Sequence, residues 1–184
     1  MVVHVGTSGY AYKEWRGSFY PEKIKDKDML RYYAERLLAV EINNTFYRLP
    51  GRETLLRWAE QVPAAFRFVL KATQRITHRQ KLAAESAETV ALLFETAQAL
   101  GDRLGPVFFQ TPPFLRKDAG RLRAFLSTLP PAHPVAFEFR HETWFDDEVY
   151  AALRGRNAAL VSADKDDSGV DGPPIVPTAD WGYL

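Results

Sequence analysis

Two side chains of opposite charge stand two residues apart in the apolar run Pro134-Val135-Ala136-Phe137-Glu138-Phe139-Arg140-His141. In an extended chain successive side chains point to opposite faces, so Glu138 and Arg140 share one face while Val135, Phe137 and Phe139 share the other. A charge in apolar surroundings needs a partner or a task. Glu138 has the chemistry of a general acid or base, Arg140 can hold an anion or pair with Glu138, and His141 can move a proton near neutral pH. The bland reading of the same residues is a structural ion pair.

Four further runs end in the same way: Val40-Glu41-Ile42-Asn43, Phe68-Val69-Leu70-Lys71, Val107-Phe108-Phe109-Gln110 and Leu160-Val161-Ser162-Ala163-Asp164. Glu41 and Asn43, with Tyr47 beyond them, can orient a substrate hydroxyl or satisfy each other. Lys71, followed by Arg75, His78 and Arg79, suits a phosphate or carboxylate, unless it is only a solvated basic loop. Pro112 and Pro113 stiffen the chain after Gln110, which is either a substrate contact or a structural amide. The turn Gly6-Thr7-Ser8-Gly9-Tyr10 permits close backbone approach, and Tyr10, Tyr12 and Trp15 can form a stacking wall or a buried cluster. Asp164 completes the ring. Glu41, Glu138 and Asp164 with a histidine are the residues that a divalent metal would use, but their spacing matches no local metal motif, so no cofactor is expected. Ser8 lacks the GxSxG surroundings of a nucleophile elbow.

Strand-like and helix-like segments alternate around these residues. Strands are expected at Val2 to Ser8, Ala39 to Thr45, Phe66 to Ala72, Pro106 to Gln110, Val135 to Arg140 and Ala158 to Asp164, with a seventh beginning at Thr178 to Leu184. Between them, helical spacing of apolar residues predicts a helix at Lys27 to Leu38 capped by Asp26, and one carrying Leu55, Trp58, Ala59 and Val62. A long helix follows at Ala84 to Leu104, then one with Leu122, Phe125 and Leu126, and one at Asp147 to Arg154 capped by Asp146. Six β-then-α rounds without hairpin signals argue for a parallel sheet clothed by helices. An open doubly wound sheet buries both faces and reads as continuously apolar, whereas a barrel gathers polar groups at its C-terminal mouth. The segregated polar face favours the barrel. Eight units usually need about 250 residues, and the chain has 184. The expectation is therefore one (β/α)-barrel domain over residues 1–184 with six units and the start of a seventh strand, its last units lacking.

Composition narrows the function classes. With 24 Lys plus Arg against 23 Asp plus Glu, the net charge is +1, too little to draw nucleic acid or an anionic membrane by field alone. No cysteine is present, which removes disulfides, thiolate metal sites and cysteine nucleophiles. The start Met1-Val2-Val3-His4-Val5-Gly6 has no signal-peptide pattern and no apolar run reaches 18 residues, so a cytoplasmic protein without membrane partners is expected. GxGxxG and GxxxxGK[ST] motifs are absent.

In order, Gly6-Thr7-Ser8-Gly9-Tyr10 with Trp15, Glu41-Ile42-Asn43-Asn44-Thr45-Phe46-Tyr47, Ile76-Thr77-His78, Gln110-Thr111-Pro112-Pro113 and Glu138-Phe139-Arg140-His141 with Trp144 resemble the YecE-like family, domain of unknown function 72. The resemblance runs through essentially the whole chain and implies a TIM-type barrel with these motifs at its mouth; it supplies no activity. Family members usually continue past the position of Leu184, which implies truncation, and Thr111 stands where a small apolar residue such as Leu is commoner. The reading that follows is an enzyme, of hydrolase or isomerase type, binding a small polar or anionic molecule. Glu138, His141 and Glu41 are its catalytic candidates, and Ser8, Tyr10, Trp15, Asn43, Tyr47, Lys71, His78, Gln110, Arg140, Trp144 and Asp164 its binding candidates. One alternative is a nucleic-acid-binding or phosphodiester-processing barrel, with Tyr10, Tyr12 and Trp15 on bases and Lys71, Arg75 and Arg79 on phosphates. A non-catalytic scaffold is the other.

Overall fold

A computed structural model of the chain describes residues 2–163 and 174–184. Strands and helices alternate as β1 (Gly6–Ser8), α1 (Met29–Ala34), β2 (Ala39–Ile42), α2 (Arg52–Glu60), β3 (Arg67–Lys71), α3 (Ala87–Ala97), β4 (Leu104–Gln110), α4 (Ala119–Thr128), β5 (Val135–Glu138), α5 (Asp147–Gly155) and β6 (Ala159–Leu160). The fold is α/β with a six-stranded sheet in the order β1-β2-β3-β4-β5-β6. The pairs β1 with β2, β2 with β3, β4 with β5 and β5 with β6 run parallel. Because each of β1 to β5 is followed by a helix, the chain returns to start the next strand in the same direction, as the absence of hairpin signals requires.

The chain forms two compact units, Met1–Lys71 with Glu95–Gly105, and Ala72–Phe94 with Pro106–Leu184. In the first, the side chains of Val40, Ile42, Phe68 and Leu70 from β2 and β3 pack with Leu30 and Tyr33 of α1 and Leu55 of α2. Each is at most 5 % exposed, and burial of one such side chain stabilises by about 1.5–3 kcal/mol. Two contacts tie β1 to this core. The Tyr33 hydroxyl accepts the Thr7 amide at 2.8 Å and donates to Ala39 O at 2.9 Å. At Gly6 an added Cβ would lie 2.0 Å from Ala39 O, so only glycine lets the two strands approach here.

In the second unit a run of aromatic rings forms the core. Phe137 stacks on Phe109 at 5.1 Å and on Phe139 at 5.9 Å, and Phe139 stacks on Trp144 at 4.5 Å with 7° between the planes. The apolar face of β5 is therefore the one that meets α4, through Phe125, and the other face carries Glu138. Asp146 caps α5 by accepting the Glu148 amide at 2.9 Å, as its position before the helix predicts.

Several expected boundaries move, each for a local reason. Val2, Val3 and Val5 are 83 %, 62 % and 60 % exposed and precede β1; Val5 O accepts the Leu38 and Ala39 amides together, each at 3.2 Å, a shared contact rather than a regular ladder rung. The strand expected to reach Thr45 ends at Ile42. Asn43 turns to φ −78° and ψ −28°, and the Thr45 hydroxyl lies 2.7 Å from both Ile42 O and Lys71 O, a side-chain bond that competes with the ladder. Asp26 does not cap α1; it opens a short 3-10 turn and pairs with Arg16. The long helix expected over Ala84 to Leu104 is a 3-10 turn, α3, and a second 3-10 segment broken at Gly101, whose φ of 54° leads the chain into β4. β6 stops at Leu160, and the segment expected to start a seventh strand joins it through one parallel bridge, Val161 to Tyr183.

Candidate functional site

In the first unit, register places Ser8 beside Glu41. Neighbours in a parallel sheet face the same way, and the Ser8 hydroxyl lies 3.1 Å from Glu41 Oε1. Asn43, two residues along from Glu41, donates from Nδ2 to Ser8 Oγ at 2.5 Å, while its Oδ1 is buried with no hydrogen-bond partner. Tyr12 closes the turn by donating to Ser8 O. The serine hydroxyl is thus held by an amide and aimed at a carboxylate, an arrangement that fixes a polar surface. Lys71 lies 5.6 Å from the centroid of the Phe46 ring, and Tyr47 is 74 % exposed. Of the expected stacking wall, Tyr10 and Trp15 pack against the core of this unit and Tyr12, 40 % exposed, lies outermost. Tyr12 and Trp15 meet at 4.7 Å with planes 47° apart.

In the second unit, register places Gln110 beside Glu138 at the carboxyl ends of β4 and β5. Glu138 is 8 % exposed and both its oxygens are engaged: Oε2 accepts from Gln110 Nε2 at 2.6 Å and Oε1 from Arg140 Nε at 3.0 Å. The Arg140 side chain is 41 % exposed. Its Nε serves Glu138, which leaves the two terminal nitrogens without a partner among the described residues. Thr111, fully buried, is the member that residue types did not reveal. Its amide donates to Glu138 O at 3.0 Å and its hydroxyl lies within 3.5 Å of both Glu138 O and the Arg140 amide, so it pins the chain on which both charges sit. Its place where an apolar residue is commoner was the available signal.

His141 has its Nδ1 occupied. The Thr143 amide donates to it at 3.2 Å and the Thr143 hydroxyl lies at 3.0 Å, so His141 caps the 3-10 turn Glu142–Trp144. A nitrogen that accepts from a backbone N–H carries no proton, so the ring's proton is on Nε2. Trp144 is wholly buried, stacked on Phe139, and donates to Leu115 O at 2.6 Å; this places it beneath the strand end, as support. His78 lies in a five-residue π-helix, Arg75–Arg79, with Nδ1 2.8 Å from the buried Thr77 hydroxyl. Asp164 lies outside the described residues. Among the described residues, no three His, Asp or Glu side chains gather closely enough to hold a metal ion, and no helix is long and apolar enough to cross a membrane.

The family model described as "Protein of unknown function DUF72" matches residues 4–184. The UPF0759 protein YunF of Bacillus subtilis is 26 % identical over 157 residues, covering 81 % of this chain and 54 % of that one. The UPF0759 protein YecE of Escherichia coli K12 is 33 % identical over 117 residues, 63 % of this chain and 43 % of that one. The chain thus spans about half the length of the curated relatives it matches. The crystal structure of a DUF72 family protein from Thermotoga maritima superposes with a TM-score of 0.84 at 27 % identity, covering 100 % of this chain and 73 % of that one. A DUF72 family protein from Enterococcus faecalis, at 20 % identity and a TM-score of 0.79, shares the fold. Since the family match runs from two residues before β1 to the last residue, this chain belongs to the DUF72 family.

Proposed function

We propose that the chain is part of a (β/α)-barrel enzyme, and that the strand ends of its second unit bind a small anionic substrate. Arg140 receives the anionic group and Glu138 is the nearest acid-base group. The observation that carries this is the Gln110-Glu138-Arg140 chain of hydrogen bonds. A purely structural pair would use the guanidinium fork in full, because two parallel N–H···O bonds are the stronger geometry. Here the carboxylate takes only Nε, and the exposed end of the fork stays available. Each Glu138 oxygen keeps a second lone pair, which suits proton abstraction in a hydrolase or isomerase reaction. His141, with its Nδ1 occupied, would offer Nε2–H as a hydrogen-bond donor to the substrate.

The test is anion binding followed by isothermal titration calorimetry and thermal melting, with pentyl phosphate as the probe. The wild-type chain is expected to bind and to be stabilised, and Arg140→Ala to weaken the affinity by about tenfold or more, the loss of one charge-assisted contact. Equal affinity in the two proteins would remove Arg140 from the site.

A further inference from the structure

We infer that the ligand of the second unit is elongated and carries an anionic group at each end, one end meeting Arg140 and the other meeting Arg75 and Arg79 on the π-turn; this rests on the reading of Arg140 above. The placement follows from the backbone. The Ala72 amide donates to Phe108 O at 2.7 Å, so the chain leaving β3 runs beside β4, and the Gln110–Glu138 register sets β4 beside β5. The π-turn begins three residues after Ala72, and Arg140 comes two residues after β5. Both therefore leave the carboxyl ends of their strands with β4 between them. Two interstrand spacings of about 4.8 Å separate them by roughly 10 Å at the strand ends. Between the two lie Gln110, whose amide nitrogen is spent on Glu138, then Thr111 and two prolines. The ligand's middle would thus meet the neutral groups of β4, with Glu138 beside its Arg140 end.

The turn itself is built in a way that packing alone does not require. π-helices are rare and concentrate at functional positions. Directly after this one, Lys81 and Leu82 both adopt left-handed backbone, with φ of 52° and 57°. Ile76, Thr77 and Leu82 are each fully buried and hold that conformation. Thr73 Oγ1 and Gln80 Oε1 are buried without hydrogen-bond partners among the described residues. From this fixed base Arg75 and Arg79 are exposed, and neither has an ion pair among the described residues. Two guanidinium groups one turn apart suit the oxygens of a phosphate or a carboxylate. Lys81, whose Nζ lies 5.7 Å from the Phe114 ring, adds a third positive charge to the segment.

Calorimetric titration with pentyl phosphate and with 1,5-pentanediol bisphosphate, which share a five-carbon chain, separates the two charged ends. The wild-type chain is expected to bind the bisphosphate at least about tenfold more tightly, since the second contact is made at high effective concentration. The Arg75→Ala/Arg79→Ala double variant should lose that advantage and keep the wild-type affinity for pentyl phosphate. Arg140→Ala should weaken both ligands. A bisphosphate advantage that survives in the double variant, or is absent in wild type, overturns the inference of a second anionic end while leaving Arg140 in place. Pentyl phosphate binding that ignores Arg140→Ala overturns the underlying reading as well, as does failure of both probes to bind the folded wild-type chain.

Discussion

At Glu138 two opposing effects meet. Burying a carboxylate costs several kcal/mol unless hydrogen bonds replace its water; here one neutral amide and one guanidinium do so, at 2.6 and 3.0 Å. Because Arg140 remains 41 % exposed, its own desolvation is small, and the larger penalty for losing the carboxylate falls on Gln110, which is 9 % exposed. Glu138→Ala leaves the Gln110 amide without an acceptor and is expected to destabilise the chain by about 2 kcal/mol. Glu138→Gln keeps one acceptor oxygen for Gln110 and turns its NH2 toward the Arg140 Nε–H, from which the exposed guanidinium can swing away, so it should cost less, about 1 kcal/mol. Urea unfolding of the three proteins distinguishes them; equal losses for Ala and Gln would mean that the Gln110 bond contributes nothing. The pairing of Glu138 with Arg140 is legible in the sequence, because period two puts residues two apart on one face. The bond to Gln110 is not, since the register of two strands joined through a helix is written in neither strand. Likewise the task of His141 as a cap depends on Thr143 standing two residues on in a turn, and no residue type announces that geometry.

Among the elements, strands and helices follow the apolar periodicity closely, and their ends do not. Past Ile42 the Thr45 hydroxyl offers the backbone other bonds, the Asn43 amide turns to the Ser8 hydroxyl, and Gly101 ends a helix whose apolar pattern would run on. The π-turn at Arg75–Arg79 is illegible for a further reason: its left-handed residues are a lysine and a leucine, neither of which favours that region. Such a conformation costs of order 1–3 kcal/mol per residue when packing enforces it. Which effect wins on substitution depends on burial. Lys81 is exposed, and its contact with Phe114 at 5.7 Å is worth at most about 0.5–1 kcal/mol in water. Lys81→Gly is therefore expected to leave stability unchanged or raise it by about 0.5 kcal/mol, as glycine enters the left-handed region without strain. Leu82 is fully buried; Leu82→Gly relieves the same strain but empties a core position, with a net loss of about 2–3 kcal/mol. Denaturation midpoints of both variants check the pair, and a marked loss for Lys81→Gly would show that the backbone there is not strained.

Over the whole molecule the sequence conveys the α/β class, the strand order and the family, because those rest on repetition over the full length, which local errors of a few residues do not disturb. The balance of 24 basic against 23 acidic residues conveys much less, for it hides the exposed arginines of one turn, which have no ion pair among the described residues. A different whole-chain property becomes visible once burial is known. Tyr10, Tyr20 and Tyr33 belong to the aromatic cluster around Trp15 and Phe19, and burial pushes up all three phenols; Tyr20 reaches about 12, with further contributions from Tyr33 and Tyr10. At Tyr33 the bonds from Thr7 oppose the shift without cancelling it. These phenols ionise less readily in the folded chain than in the unfolded chain, whose tyrosines titrate near about 10. Their contribution to stability is therefore complete below about pH 10 and is lost as pH rises through the folded values. Asp146 acts in the opposite sense. Lys117 and the Glu148 amide hold its carboxyl below the ordinary range, so its contribution is present at neutral pH and is lost as pH falls through that lowered value. The chain is expected to hold a constant urea midpoint from pH 7 to about 9.5 and to weaken steadily from about pH 10 to 12. Tyr20→Phe removes the hydroxyl that donates to Tyr10 O at 2.5 Å, so it starts from a lower midpoint at neutral pH. It should then lose less than wild type over the alkaline range, because its most perturbed phenol is gone. Parallel curves for the two proteins above pH 10 would assign the alkaline loss to other groups and detach it from the aromatic cluster.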